Sequence, residues 1–147
     1  MNNNDSFVEQ IYNIVKNEEY LKNYVWKTHI INSWNRNEIF FITENNKVIS
    51  FIIIQKYKRK KAVKLWVIAT RKEYRRKGYL FKVLEKVKKQ FLEYTFICEC
   101  RTENYPMNCF LKKHGFVKKG EKFVGKNKDI KINVYVFDNT TKLEKWL

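Results

Sequence analysis

Hydrophobic residues recur at helical spacing near the start of the chain. After the polar residues 2–5, apolar side chains return every three or four positions, at Phe7, Ile11, Ile14 and Val15. This spacing predicts an amphipathic helix, which Asp5 or Ser6 is suited to cap. A second helix is predicted around residues 20–31, where the asparagine-rich residues 32–37 end it.

A change of period indicates three strands in the next part of the chain. Residues 38–43 are short and apolar, residues 44–47 have the composition of a turn, and residues 48–57 are rich in isoleucine and aromatic side chains. These segments predict a hairpin. A basic turn at residues 59–61 is followed by a third strand over residues 62–70, so we expect an antiparallel meander.

A charged loop and a helix follow this meander. Residues 71–78 are mostly charged and end at Gly78. Behind them, apolar residues at i, i+3, i+4 and i+7 spacing predict one buried helix face, made of Leu80, Val83, Leu84, Val87 and Phe91. The solvent-facing side of this helix is predicted to carry Lys82, Lys86, Lys88 and Lys89.

The last third of the chain alternates between strand and helix. Residues 94–100 form an apolar run broken by a single glutamate, which is typical of a strand covered on both faces. A helix over residues 107–114 is expected to end at Gly115, because glycine adopts the left-handed conformation that stops helices. Residues 116–124 and 130–137 then predict a closing hairpin.

Together these elements predict an α/β fold with a mixed sheet of about six to seven strands, flanked by about four helices. We expect one domain that spans residues 1–147, because 147 residues is a usual length for a single domain. The hydrophobic fraction of 44% is sufficient for a core, and a content of one proline and four glycines argues against disorder.

The charge of the chain changes the range of expected partners. The formal net charge is +16, and the densest clusters of basic residues lie at 56–61, 71–77 and 118–131. A positive potential of this size attracts nucleic acid, acidic protein surfaces and phosphate-bearing cofactors. An equally good explanation is that codon bias has enriched lysine at exposed sites, since the basic residues are spread along the chain.

The cysteines and histidines do not predict a metal site. Cys98, Cys100, Cys109 and His114 follow no familiar ligand spacing, so we expect buried free thiols and no metal. An odd number of cysteines without a signal peptide indicates a reducing, cytoplasmic location. No membrane association is expected either, because the longest apolar stretch, residues 48–54, is too short to cross a bilayer.

The charged loop carries the first chemical motif. Arg75, Arg76, Lys77 and Gly78 stand between a predicted strand and a predicted helix. A glycine at such a junction lets successive backbone N–H groups turn inward as a nest for an anion, and the dipole of the following helix adds to the attraction. The motif predicts a site for a pyrophosphate group.

A second segment follows about 20 residues later. Glu99 and Arg101 alternate with cysteines on a strand, Asn104 follows, and Gly115-Phe116 lie 11 and 12 residues beyond that asparagine. The two segments, in this order, resemble the acyl-CoA-dependent N-acetyltransferases of the GNAT superfamily. The likeness is greatest to members that act on protein N-terminal amines, and it covers roughly residues 38–137.

The resemblance implies a GNAT-like fold, acetyl-CoA as the cofactor, and a role for each matching residue. The loop and helix start would hold the pyrophosphate through Arg75, Arg76, Lys77, Gly78, Tyr79 and Leu80. The backbone of Ile68 to Thr70 would pair with the pantetheine amides, and Asn104 would bond the same arm or an ordered water. Glu99 would be the general base, with a pKa raised by burial; an ion pair with Arg101 is the alternative role for this carboxylate.

This sequence also departs from the family's pattern. Leu80 stands where a small residue is usual, and the proline that often ends the preceding strand is absent. Leu111 replaces the tyrosine that usually serves as general acid, and Tyr105 and Tyr135 are two other candidates, each of which also fits a packing role. His29 and His114 are expected to be structural, although the region of His29 flanks the acceptor cleft in the family.

Two functions from different classes follow. The first is transfer of an acetyl group from acetyl-CoA to a primary amine on a peptide, protein or small molecule, by direct attack. The alternative is a GNAT-fold protein whose basic surface binds or modifies nucleic acid, or an associated amine such as that of tRNA or a ribosomal protein. Either protein is expected to be a monomer or a homodimer.

Overall fold

The computed structural model describes residues 3–139, and the side chains from Ser6 onward. Helix α1 spans Asn3–Lys16 and helix α2 spans Lys27–Asn35. The expected cap at Asp5 or Ser6 is therefore wrong, because both residues lie inside α1. The second helix begins seven residues later than predicted and continues through Asn35.

The late start of α2 has a local cause. Residues 18–24 form hydrogen-bonded turns, such as the bond from Leu21 N–H to the Glu18 carbonyl at 3.1 Å. The Nδ1 atom of His29 then accepts a hydrogen bond from Trp26 N–H at 3.0 Å. This bond satisfies a backbone donor at the helix start and gives His29 a capping role. The expectation that His29 is structural agrees with this contact.

The meander lies where the sequence predicted it. Strand β1 spans Ile39–Glu44, β2 spans Lys47–Tyr57 and β3 spans Ala62–Thr70. The β1–β2 turn is tight because Asn45 and Asn46 both have positive φ, of 51° and 63°, which suits the right-handed twist of a hairpin. Strand β2 is buried from Val48 to Ile54.

The second half of the chain also follows the predicted order. Helix α3 spans Tyr79–Gln90, β4 spans Thr95–Arg101, α4 spans Tyr105–Lys113, β5 spans Val117–Val124 and β6 spans Ile130–Asp138. Three details differ from expectation. Helix α4 begins two residues before the predicted start at residue 107 and ends at Lys113. Lys88 is mostly covered rather than exposed and pairs with Glu85, while β4 alternates between buried and half-buried residues instead of being covered on both faces.

The described strands form one mixed six-stranded sheet with the order β1-β2-β3-β4-β6-β5. The β3–β4 pair is parallel, and the β1–β2, β4–β6 and β5–β6 pairs are antiparallel. With four α-helices among the described residues, this arrangement confirms the predicted α/β class and mixed sheet.

Contacts divide the chain into two compact units. The first contains the described residues up to Gln55 together with residues 66–90, and the second contains Lys56–Leu65 and the described residues from Phe91 onward. In the first unit α1 and α2 pack on β2 and the end of β3, through a core that includes Ile11, Ile30 and Phe51. A single domain over residues 1–147 stays a prediction.

In the second unit the central strands are covered and the last strand is not. Phe96 and Cys98 on β4 and Tyr135 on β6 are buried, and α4 is joined to these strands by hydrogen bonds. In contrast, all residues of β5 from Val117 to Phe123 are exposed. The apolar content of this unit is therefore concentrated around β4 and β6.

Candidate active site

The loop between β3 and α3 has the backbone of an anion nest. After a short 3-10 turn at Lys72–Tyr74, Arg76 and Gly78 have positive φ values of 64° and 83°, while Lys77 between them does not. This alternation of left-handed and ordinary conformations turns successive N–H groups toward one side. The structure therefore supports the local geometry predicted for residues 75–78.

The space in front of Gly78 is open. A Cβ atom added at this glycine would meet no other atom within 4 Å. The Gly78 carbonyl accepts the first helical bond of α3 from Lys82 N–H at 3.2 Å, so Gly78 stands at the helix N-terminus. Glycine has no side-chain acceptor to cap that terminus, and the N–H groups of the first turn can therefore donate to an external anion.

The charges around this loop are only partly paired. Arg76 and Lys77 are exposed, and the Lys77 ammonium lies 5.8 Å from the ring centroid of Tyr74. In contrast, the Arg75 guanidinium forms an ion pair with Glu18 and donates to the Thr70 carbonyl at 3.2 Å. Arg76 and Lys77 are consequently the basic side chains of the motif that stay available to an anion.

Tyr79 and Leu80 open helix α3 with different environments. The Tyr79 hydroxyl donates to the Glu44 carboxylate at 2.6 Å, and this hydrogen bond raises the pKa of Tyr79. Leu80 is half-buried. The hydroxyl of Tyr79 is thus paired with Glu44, and the backbone N–H groups of Tyr79 and Leu80 are the parts suited to an anion.

The end of β3 offers an edge of backbone. The parallel ladder with β4 covers four residue pairs and ends at Leu65 and Cys98, so Ile68 and Thr70 lie beyond its last pair. The Thr70 hydroxyl is 2.8 Å from that of Ser50. The Ala69 carbonyl accepts a hydrogen bond from the Ser50 hydroxyl at 3.2 Å, and the Thr70 carbonyl accepts one from Arg75 at 3.2 Å. Pairing of this strand end with an extended ligand stays a prediction.

Glu99 is held by two lysines, which the sequence analysis did not predict. Its carboxylate lies 3.0 Å from Lys64 Nζ on β3 and 3.1 Å from Lys122 Nζ on β5. Burial acts to raise the pKa of Glu99, but the hydrogen bonds and charges of the two lysines outweigh it and the pKa is lowered. The expected raised pKa is therefore wrong, and so is the expected partner, because Arg101 pairs with Glu103.

Asn104 caps helix α4 in the second unit. Its side-chain oxygen accepts a hydrogen bond from Met107 N–H at 3.4 Å, and its own N–H donates to the Arg101 carbonyl at 3.0 Å. The asparagine is half-buried, and these bonds leave its side-chain NH₂ group as the donor that can face a ligand.

A buried polar cluster next to Asn104 was not predicted from the sequence. Asn108 donates to the carbonyls of Arg101 at 2.9 Å and Asn104 at 2.7 Å. Its side-chain oxygen accepts from Asn133 at 2.8 Å and from the Tyr135 hydroxyl at 2.6 Å. The signal available in the sequence was the pair of asparagines inside apolar segments, at 108 in α4 and at 133 in β6.

The two candidate tyrosine acids differ in their surroundings. Tyr135 is fully buried, burial raises its pKa, and its hydroxyl proton is directed to Asn108. Tyr105 is exposed, and its hydrogen bond with Cys109 raises its pKa. Leu111 is fully buried, in agreement with its lack of a polar role. Only Tyr105 presents its hydroxyl at the surface.

The cysteines behave as small core residues at two of three positions. Cys98 and Cys100 are buried, and burial raises the pKa of both thiols, that of Cys100 to about 11. Cys109 is exposed. Among the described residues, no group of three or more His, Cys, Asp and Glu side chains is arranged to hold a metal ion. None of the described helices combines the length and apolar character needed to cross a membrane.

Comparisons with known proteins show the family of this chain. Residues 6–116 match the family model described as the acetyltransferase (GNAT) family. No curated protein matches the sequence. Among solved structures, Ard1 from Thermoplasma volcanium is 20% identical, with coverage of 94% of this chain and 93% of the other and a TM-score of 0.77.

Two further solved structures share the fold. The ribosomal-protein-S18-alanine N-acetyltransferase from Escherichia coli is 17% identical over 92% of this chain and 89% of its own, with a TM-score of 0.70. A putative streptothricin acetyltransferase from Bacillus anthracis, solved in complex with acetyl coenzyme A, is 22% identical over 68% and 61%, with a TM-score of 0.59. With more than half of its residues matched by the family model, this chain belongs to the acetyltransferase (GNAT) family.

Proposed function

We propose that this protein transfers an acetyl group from acetyl-CoA to a primary amine by direct attack. The observation that carries the proposal is the loop between β3 and α3. It combines positive φ at Arg76 and Gly78, an open space at Gly78, a helix N-terminus and two basic side chains without carboxylate partners among the described residues. These are the features by which a protein holds a pyrophosphate.

The acetyl donor is acetyl-CoA, and the residues present fit its parts. The backbone of Arg76 to Leu80 would hold the pyrophosphate, with charge added by Arg76 and Lys77. The backbone of Ile68 to Thr70 and the side-chain NH₂ of Asn104 would bond the pantetheine arm. The related acetyltransferase from Bacillus anthracis, which was solved with acetyl coenzyme A, supports this choice of donor.

The reaction needs no covalent intermediate on the enzyme. The amine nitrogen attacks the thioester carbonyl, the C–N bond forms, the C–S bond breaks, and the thiolate of coenzyme A leaves. The amine loses one proton and the thiolate gains one. A backbone N–H near Thr70 would stabilise the developing oxyanion. Cys98 and Cys100 are unsuited to act as nucleophiles, because both are buried and their thiol pKa values are raised.

The acceptor is a primary amine of a peptide, a protein or a small molecule. One of the solved structures similar to this chain supports a protein acceptor by its name, the ribosomal-protein-S18-alanine N-acetyltransferase from Escherichia coli. A panel of peptides with free N-termini and of polyamines is therefore the first acceptor screen, with release of the coenzyme A thiol as the signal.

Initial-rate kinetics test direct attack. With the best acceptor of the panel, we expect double-reciprocal plots for acetyl-CoA and acceptor to intersect, because both substrates must be bound together. Parallel lines, the signature of a covalent acetyl-enzyme, would contradict the proposed mechanism. Absence of thiol release with every amine, despite tight binding of acetyl-CoA, would contradict the choice of acceptor class.

Glu99 is proposed as the group that accepts the proton of the attacking amine, directly or through water. Because its pKa is lowered by Lys64 and Lys122, the carboxylate stays ionised throughout the neutral range and is a weak base. We expect Glu99→Gln to lower kcat by about 10²-fold, at the low end of the range for general bases, without changing the affinity for acetyl-CoA.

The pH profile of kcat/KM gives a second readout for Glu99. We expect no inflection from this carboxylate between pH 5 and 8, since it is already ionised there, and the same profile shape in Glu99→Gln. The matched control is Glu103→Gln, four residues further along, whose carboxylate is exposed and pairs with Arg101. An acidic limb near neutrality that disappears in Glu99→Gln alone would show that the pKa is raised, against this account.

The two tyrosines are expected to respond differently to loss of the hydroxyl. Tyr135→Phe removes the hydrogen bond to Asn108 and should lower the free energy of unfolding by about 1 kcal/mol while leaving kcat unchanged. Tyr105→Phe should leave stability unchanged, because the ring is exposed. Urea denaturation and steady-state kinetics of both variants check this, and a large loss of kcat in Tyr135→Phe at unchanged stability would contradict it.

A further inference from the structure

The last strand of the sheet is exposed along its length. β5 stands at the end of the strand order and pairs with β6, and each residue from Val117 to Phe123 is exposed to solvent. We call residues 117–131, which comprise β5, the following loop and the start of β6, the hairpin surface.

The hairpin surface is strongly basic. It carries six lysines and two acidic residues, and the lysines are Lys118, Lys119, Lys122, Lys126, Lys128 and Lys131. Lys112 and Lys113 lie in the last turn of α4, which contacts β5, and they extend the positive charge beyond the hairpin. A polyanion is therefore the class of partner that this surface attracts most strongly.

The side chains of three of these lysines have no polar partner among residues 3–139. Lys118 and Lys131 pair with Glu121, and Lys122 pairs with Glu99. Within residues 3–139, Lys119, Lys126 and Lys128 have no side-chain hydrogen bond or ion pair. Their ammonium groups can consequently neutralise phosphates of a ligand without breaking a contact of the fold.

An aromatic ring lies among the lysines. The side chain of Phe123 is 57% exposed, and the ammonium of Lys131 lies 6.0 Å from its ring centroid. Nucleic-acid bases stack on exposed aromatic rings, and single-strand binders combine such rings with a basic track for the backbone. The carboxylates of an acidic protein segment do not stack on the face of a ring.

Protection of a sheet edge explains only part of this composition. Lysines on an edge strand hinder pairing with another chain, which accounts for charge on β5. Protection of the edge does not explain Phe123 and Val117, which are 57% and 55% exposed. Exposed apolar side chains on an edge strand would favour its association with another chain. Binding of a ligand with both phosphates and bases accounts for the lysines and the aromatic ring together.

We propose that the hairpin surface binds single-stranded RNA, with Lys119, Lys126 and Lys128 on the phosphates and Phe123 stacked on a base. The proposal does not depend on the acetyltransferase activity, because the surface is built from β5, β6 and their loop alone. It gives the protein a means to stay close to acceptors that are associated with RNA.

The first test is fluorescence anisotropy of the full chain with a labelled single-stranded RNA of about 12 nucleotides, within the site sizes of single-strand binders. The triple variant Lys119→Gln, Lys126→Gln, Lys128→Gln should bind at least 10-fold more weakly at moderate salt. Its plot of log affinity against log salt should be less steep by about 2, because three phosphate contacts are lost at about 0.7 each.

The matched control removes the same charge elsewhere. Lys22, Lys60 and Lys89 are exposed and lie outside the hairpin surface, so the triple variant Lys22→Gln, Lys60→Gln, Lys89→Gln should retain most of the RNA affinity. Equal losses of RNA affinity in the two triple variants would overturn the proposal, because the affinity would then depend on the net charge of the chain and not on the hairpin surface. No RNA binding by the unmodified chain would overturn it as well.

Phe123→Ala separates RNA from an acidic protein partner. Loss of one stacked base should weaken RNA binding about 5- to 150-fold with an unchanged salt slope. The side chain is exposed, so the thermal midpoint should stay within the range of neutral surface changes. An unchanged RNA affinity in Phe123→Ala, together with displacement of RNA by a polyglutamate peptide at similar concentration, would assign the surface to acidic proteins and overturn the RNA proposal.

Discussion

Gly78→Glu is expected to lower the affinity for acetyl-CoA more than 100-fold. The new side chain would place a carboxylate in the open space in front of the loop, where the pyrophosphate is proposed to lie. It would also force a residue with a Cβ to keep a φ of 83°, which costs about 1–2 kcal/mol of stability. Isothermal titration calorimetry with acetyl-CoA measures the affinity, and thermal unfolding measures the cost in stability.

Two controls isolate the effect of the carboxylate. Gly78→Ala carries the same backbone strain without the charge, and a Cβ has room there, so it should keep binding within about 10-fold. Gly120→Glu adds the same charge on β5, at another glycine where a Cβ meets nothing within 4 Å, and should bind acetyl-CoA as the unmodified chain does. Wild-type affinity in Gly78→Glu would contradict the assignment of the loop.

Asn108→Ala is expected to cause the largest loss of stability. It removes two donors and one acceptor from a buried cluster and leaves the Tyr135 hydroxyl and the Asn133 amide without their partner. Each of these two buried polar groups left unpaired costs about 1–3 kcal/mol, so the free energy of unfolding should fall by roughly 2–6 kcal/mol. Among the described residues, Asn133 Oδ1 is already the one buried side-chain polar atom without a hydrogen-bond partner. The substitution would add further unpaired polar atoms to the same cluster.

Urea denaturation measures this loss, and the neighbouring residue provides the control. Cys109→Ala changes an exposed side chain on the same helix and should stay within about 0.5 kcal/mol of the unmodified chain. A loss below 1 kcal/mol in Asn108→Ala would mean that water replaces the side chain in the cluster. The cluster would then not be what holds α4 on β6.

The sequence predicted the elements well where the hydrophobic period was clear. The observed bounds of β1, β3 and α3 lie within a residue or two of those predicted. The apolar runs of the strands and the helical spacing of apolar residues in α3 carried these predictions. The start of α2 was placed seven residues too early, because residues 18–24 form hydrogen-bonded turns. Backbone hydrogen bonds of this kind leave no pattern of hydrophobic residues in the sequence. The exposure of β5 was also not predicted, because its place at the end of the sheet depends on the pairing of distant strands.

The candidate site was predictable in outline and not in its electrostatics. The loop motif predicted the backbone conformation at Gly78, because a glycine directly before a helix is a feature of the local sequence. The partners of Glu99 were not predictable, because Lys64 and Lys122 come from other strands and meet the carboxylate only through the order of the sheet. Arg75 likewise pairs with Glu18, which is 57 positions away in the sequence.

The most direct test of the central claim compares acetyl-CoA with acetyl-pantetheine, which lacks the pyrophosphate and nucleotide, in calorimetric titrations of the unmodified chain. The account predicts a dissociation constant for acetyl-CoA of about 1–100 μM, in the range usual for enzyme substrates. Acetyl-pantetheine is predicted to bind at least 100-fold more weakly, because it lacks the group that the loop at Gly78 holds. Equal affinities for the two compounds, or no binding of acetyl-CoA, would contradict the proposed site.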